Sequence, residues 1–548
     1  MIGVNVDEMF EKIGQEMMNR FFENNPDYAT QVGLHEPYDY LLPKGSADRY
    51  VKDLELMRET LERLSNTVKR EQLNGQHRID LEAIELGYEQ GKFAFYEQRM
   101  HELNPDAFSD LGGVLFIMFT RNYAPLEKRV DAMAARIEKI PKYLEEFRTR
   151  FDKSRPVKLW TEIAIETAQN MGGLFQFVLF ATKGQVSEKA HERLGKVVEN
   201  LQPALKIHME WLQDLLSKTK EEWALGREKF EKLLKLRGLG MTSDEILSLG
   251  LKYLEEMKVE RERLARQIAP GKSLEEVKKM IESKSPKTFE EALEYTRKTM
   301  EEAKNFIQTK NLATVYPEDV LTVEETPAFL VPLLPFAAMI MPARFDKPQI
   351  GTYIVTRPKE ISNLGNHLNY PSIRNTAVHE AFPGHFLQAT LSNRGSIFQL
   401  LAGGTETVEG WAHYCEQMMG EKGFITDLEM RLVQVNDVIW RAVRIIVDVK
   451  LSRGEMGFEE AVMMLMHEAG LTREGAEAEV KRYTQTPGYP LSYLLGKHLI
   501  LKLKEEMKQN MGNKFDEKFF HDTIASNGYL PLSMVRKIFD QVVSQALQ

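Results

Sequence analysis

Residues 376–388 read TAVHEAFPGHFLQ, with His379, Glu380, Pro383, Gly384 and His385 in one short segment. The two histidines are six positions apart, which on a straight α-helix rotates them by ~240° and points the imidazoles away from each other. The usual helical zinc motif, H-E-x-x-H, steps four positions and turns only ~40°. Pro383 makes a straight helix untenable in any case, because its ring clashes with the carbonyl of residue 379. If both histidines serve one ion, the chain must bulge or break near residues 382–384, where Pro and Gly allow it. The plain alternative is that Pro-Gly stops a helix and the histidines are incidental.

Downstream, residues 407–418 read TVEGWAHYCEQM and supply Glu409, His413 and Glu416. Imidazole and carboxylate are ligands that Zn²⁺ accepts, and three of them plus a water make an open catalytic site. The carboxylate beside the first histidine is then free to take a proton. His413 lies one helical turn beyond Glu409 and shares its face, where it could orient a ligand or donate to an intermediate. Glu416 could brace a zinc-bound imidazole from behind. For both, a packing or surface role is the plain reading. Trp411 is read as core behind the site, and Cys415 lacks the setting of a nucleophile.

Upstream, residues 312–370 are rich in proline and thin in charge. Residues 351–356, GTYIVT, form the best short strand in the chain. It is read as an edge strand beside the cleft, able to pair with an extended peptide, or else as a small hairpin. Residues 327–343, PAFLVPLLPFAAMIMPA, carry prolines at 327, 332, 335 and 342. They fall short of the ~20 residues that a membrane span needs, and are read as buried irregular chain. Before residue 312 helical periodicity dominates, for example over 50–67, 126–151 and 188–216. Capping boxes are expected at Thr242…Glu245, Ser273…Glu276 and Thr288…Glu291. The interleaved charges between Lys272 and Lys310 read as a solvated helix pair. The organisation expected is an N-terminal helical region 1–311, an irregular or β segment 312–370 and a C-terminal helical region 371–548, together one compact catalytic unit.

Composition narrows the classes. The 548 residues are 43% apolar and 28% charged, enough apolar surface to exclude disorder. Lys+Arg 72 against Asp+Glu 81 leaves a net charge of −9 with no basic block, so nucleic acid is excluded as a partner. A single cysteine excludes an intrachain disulfide framework and fits a reducing compartment. The amino terminus, acidic at once, reads as an amphipathic helix rather than an export signal. A cytoplasmic location and no membrane partner are the expectation. Two near-motifs are set aside: His467–Glu468 has no second histidine in reach, and Glu188…His191 lacks the second such pair a di-iron bundle needs.

HEAFPGH followed by EGWAHYCE resembles the domain of unknown function 885 family, which is similar to the gluzincin metallopeptidases. The resemblance extends through PDYATQVGL (26–34), AARIEKIP (134–141), GTYIVT, PGYPLSYLLGK (487–497) and FDEKFFHDTIASNGYLPL (515–532). It implies a mainly α, multi-helical zincin-like metallopeptidase fold with a small β element beside the cleft. It also implies zinc held by His379, His385 and Glu409, with Glu380 as general base. Tyr493 is the candidate to stabilise the oxyanion, with Tyr489 and Tyr483 as alternatives. Arg374, Arg344 and Lys497 are candidate anchors for a substrate carboxylate, and Tyr489 a candidate substrate contact. The function expected is a zinc-dependent hydrolase, a carboxypeptidase or oligopeptidase acting on short peptides. The alternatives are an amidase or esterase on a non-peptide substrate and a non-catalytic helical metal-binding protein. The oligomeric state is left open.

Overall fold

The computed structural model describes residues 5–326, 337–358, 360 and 364–546. The protein is mainly α with one small sheet. It divides into two compact units, Met1–Trp223 with Ala343–Asp346, and Ala224–Pro342 with Lys347–Gln548. This replaces the expected boundaries at 311/312 and 370/371 and the expected single unit. The composition change near 312 marks the start of a sheet. The helices just before it pack against helices far downstream, so they belong to the second unit.

In the first unit, helices Phe108–Thr120, Leu126–Ile137, Ile140–Arg148, Lys158–Thr182 and Glu188–Leu216 enclose an apolar core that includes Met118, Met133, Ile137, Leu144, Phe175 and Leu194. The periodic stretch 126–151 is two helices followed by a short 3₁₀ turn, because Pro141 suits a first helical turn and not an interior. His35 is held between Asp39 and Asp346, each at 3.1 Å, and its ring stacks on Tyr123.

In the second unit, the helices that matter are α1 (Ser243–Ile268), α2 (Phe289–Thr309), α3 (Tyr370–Glu380), α4 (His385–Ser392), α5 (Thr405–Glu421), α6 (Leu428–Arg453), α7 (Arg473–Gln485) and α8 (Ser492–Met511). Capping boxes close both ways at Thr242/Glu245 and Ser273/Glu276. At α2 only half forms: Thr288 accepts from the Glu291 amide, while the Glu291 carboxylate takes the Lys287 N–H at 2.8 Å. Between Val438 and Ser452 α6 is buried on nearly every face, its Arg441, Arg444 and Asp448 included. It packs along α1, where Gly250 admits it: a Cβ there would stand 2.7 Å from Ile445 Cγ2. Helices α5 and α8 cross equally closely through Gly410 and Gly496. A Cβ on Gly496 would meet the Glu406 carbonyl oxygen at 2.2 Å.

The sheet has three strands, β1 (Val320–Glu325), β2 (Ala337–Ile340) and β3 (Ile350–Val355), in the order β1-β3-β2. β1 runs parallel to β3 with Val320 opposite Ile350, and β2 runs antiparallel with Ile340 opposite Thr352. The strand expected at the edge is therefore the central one. Its backbone is paired on both sides, and it has no free edge to offer a peptide. Of the stretch read as irregular chain, 337–340 is a strand and 327–336 lies outside the described residues. The sheet rests on α4: a Cβ at Gly351 would meet the Phe386 ring at 2.6 Å.

Candidate metal centre

The bend in the HEAFPGH segment is built from local rules. Asn369 caps α3 by accepting the Ser372 N–H at 2.9 Å, with Pro371 in the first turn. The helix ends at Glu380, short of Pro383, and α4 begins at His385. Between them the chain curls back over the last turn, with the Ala381 N–H on Ala377 O and the Gly384 N–H on Val378 O, both 3.0 Å. Only glycine fits at 384, because a Cβ would lie 1.8 Å from the His379 carbonyl oxygen. The Trp411 indole N–H holds the Pro383 carbonyl at 2.8 Å from the α5 side. The bend brings the His379 and His385 rings to 4.9 Å between centroids, at 87° to each other.

Glu409 joins them from α5. Ligand atoms of His379, His385 and Glu409 all lie within 4.8 Å of one another, and His385 Nε2 is 3.4 Å from Glu409 Oε2. Burial pushes the Glu409 carboxyl up, but the His385 hydrogen bond and charge and the Tyr489 hydroxyl outweigh it and hold the group at about 2. It is therefore ionised, the form that ligates. His379 gives Nδ1 to Glu416 Oε1 at 2.6 Å. A proton kept there leaves the lone pair on Nε2, as in a carboxylate–histidine–metal triad. Two imidazoles and one carboxylate converge, with outer partners in place on His379 and Glu409, and form a donor set that fits zinc.

Behind His379 stands a buried polar group centred on Glu416. Asn375 donates to Glu416 Oε2 at 3.2 Å and to Asp437 Oδ2 at 2.8 Å, and Arg441 Nη2 lies 3.7 Å from Glu416 Oε1. Burial opposes ionisation of Glu416, yet the Arg441 and His413 charges and the His379 hydrogen bond hold its carboxyl well below the usual range. Sequence reasoning had Glu416 but missed Asn375, Asp437 and Arg441. Two signals were present: Asn375 is one turn before His379, and Arg441 interrupts the apolar run VIWRAVRIIVDV (438–449).

The remaining candidates divide. Glu380 is half-buried at the end of α3, and its charge adds to burial in raising the Tyr353 hydroxyl on β3, so strand and base are neighbours. Tyr493 packs edge-on to Tyr489 at 6.0 Å, under the Arg444 guanidinium at 4.6 Å. Tyr489, expected as a substrate contact, instead donates to Glu409 Oε1 at 2.6 Å and so positions a ligand. Asp448 fixes the turn that carries Tyr489 and leads into Tyr493 at the start of α8, by accepting the Gly488 and Leu491 N–H groups at 2.9 and 3.0 Å. Tyr483 is engaged with Arg444 at 2.8 Å. Arg374 is no anchor in this arrangement, since it pairs with Glu302 at 2.8 Å and lies over the Phe424 ring at 4.0 Å. Arg344 falls in the first unit. His413 is fully buried, with Nδ1 3.4 Å from Glu416 Oε1, so it touches the outer carboxylate and not the ligand group. Lys497 is buried too, and lines a separate cavity beside Glu416. Cys415 is buried and its thiol is raised well above the usual range by desolvation, which makes it inert.

Among the described residues no helix is long and apolar enough to cross a membrane. A search of the curated proteins found no match. Two solved structures share the fold. One is a protein of unknown function from Shewanella oneidensis, provisionally called a lipoprotein, 24% identical over 96% of this chain and 99% of that chain, with a TM-score of 0.79. The other, provisionally called a lipoprotein from Colwellia psychrerythraea, is 18% identical over 99% of this chain and 100% of that chain, with a TM-score of 0.81. The family model described as bacterial protein of unknown function (DUF885) matches residues 26–538, and the chain belongs to that family.

Proposed function

We propose that the protein is a zinc-dependent hydrolase acting on short peptides, with His379, His385 and Glu409 as metal ligands. The observation that carries the reading is the convergence of these three side chains within 4.8 Å across a helix break. The outer carboxylate on His379 Nδ1 supports it, since ordinary packing has no need of a 2.6 Å buried Glu–His contact aimed at that ring. Zinc in such a set supplies Lewis acidity toward a carbonyl oxygen and a lowered pKa for water.

The chain's own residues carry the rest. Glu380 follows His379 directly and is half-buried beside the ligands, where it takes a proton as general base and returns it to the leaving amine. Tyr493 is the donor for the oxyanion, its hydroxyl kept protonated by burial and by the Glu409 charge. Tyr489 and Glu416 hold Glu409 and His379 in place. A cytoplasmic location belongs to the same reading.

Zinc content and turnover of di- to hexapeptides, blocked and unblocked, test it together, with a chelator control. Glu380→Gln should keep one zinc per chain and lose roughly 10²–10⁴-fold in rate. Undiminished turnover in Glu380→Gln rejects the assignment of the base. Absence of zinc from metal-replete protein rejects the enzyme reading altogether.

A further inference from the structure

A second site lies behind the metal group. A cavity of about 610 Å³ opens between α1, α5, α6 and α8, and Lys497 lines it together with Glu416. Lys497 is only 5% exposed, and among the described residues no hydrogen bond or ion pair reaches its ammonium. Burial pulls that ammonium down to about 8 even though the Glu416 charge opposes the shift. A buried, unpaired cation is costly to keep, and here it faces open space.

The acids around the cavity already have partners. Glu416 is held by His379 and Asn375, Glu421 accepts the Gln417 amide at 2.7 Å, and Glu260 is bonded to Arg263 at 2.6 Å. Among the lining groups that are both charged and buried, Lys497 therefore stands out as the one without a partner. Met257, Ile425, Val435 and Val438 supply an apolar strip in a lining whose other side chains are polar or charged. The volume falls within the range of small-molecule sites.

We propose that this cavity binds a small aliphatic carboxylate, its anionic end on Lys497 and its body against Met257, Ile425, Val435 and Val438. None of the three metal ligands lines the cavity, and the site does not depend on the hydrolase reading. Two sources supply such a ligand, a simple short-chain acid and a free aliphatic amino acid, and the choice of probes separates them.

The test is calorimetric titration of the full-length protein, stripped of metal so that no probe can coordinate an ion. The probes are 4-methylpentanoate, L-leucine and isoamylamine, the last offering the same aliphatic character without the carboxylate. Saturable binding of 4-methylpentanoate, L-leucine or both is expected, with isoamylamine silent. A response to L-leucine alone identifies the amino acid as the ligand type. Affinity should fall at least tenfold in Lys497→Met, which keeps the stem and removes the charge. It should fall similarly in Val435→Phe, which keeps Lys497 and fills the cavity, and which decides the matter if Lys497→Met does not fold. Failure of both carboxylates to saturate, unchanged affinity in the folded variants, or equal binding of isoamylamine overturns the proposal.

Discussion

Replacing Glu416 by Gln probes the support of His379 without changing its shape. The carboxylate accepts from His379 Nδ1 at 2.6 Å through one oxygen and from the Asn375 amide at 3.2 Å through the other. Glutamine can satisfy only one of these contacts. With its carbonyl toward His379, its amide faces the Asn375 amide, donor against donor. Flipped, it sets a donor against the imidazole N–H. The exchange also removes the negative charge that offsets Arg441, 3.7 Å away. Losing an outer partner of this kind weakens metal binding by about 10–100-fold, equivalent to about 1.4–2.7 kcal/mol. Competition against a chromophoric zinc chelator measures it, with Glu421→Gln on the same helix as the control expected to match wild type. A Glu416→Gln protein that folds and holds zinc within threefold of wild type would refute the reasoning.

Three further outcomes follow from the geometry. Gly384→Ala places a methyl 1.8 Å from the His379 carbonyl oxygen, so the bend must open; zinc stoichiometry should drop below half and thermal stability should fall. Tyr489→Phe removes the hydroxyl from Glu409 and should weaken zinc binding severalfold, whereas Tyr493→Phe should leave zinc binding intact and lower kcat; the reverse pattern would exchange their roles. In the first unit, burial pulls His35 down, but hydrogen bonds to Asp346 and Asp39 outweigh it and raise it to about 9. Its charged form is favoured in the fold, so its stabilising contribution is complete below the ordinary value near 6.5 and lost as pH rises through about 9. Hydrogen-exchange protection of the 343–346 segment, taken relative to the intrinsic amide rate at each pH, should fall over that window in wild type and lose this dependence in His35→Gln.

The break at Pro383 was readable because proline and glycine act locally: one forbids the helix, and the other admits a 1.8 Å approach that no side chain allows. What the residues did not reveal depends on partners far along the chain. Residues 350–355 have the composition of a strand, but whether a strand is central or at an edge is decided by neighbours at 320–325 and 337–340. Arg374 looked free beside the motif, and its partner Glu302 is 72 positions away. The unit boundary was misplaced for the same reason, since α1 finds its packing partner in α6. Tyr489 and Arg441 are a different case. Their residue types were visible, but only the α5–α8 crossing and the buried face of α6 show which group each one supports.

The most direct test of the central claim is anomalous diffraction at the zinc edge from crystals of metal-replete protein. The account predicts one strong peak among His379, His385 and Glu409, with histidine nitrogens and a carboxylate oxygen about 2.0–2.2 Å from it. A map with no peak there, or with zinc bound only by other residues, would contradict it.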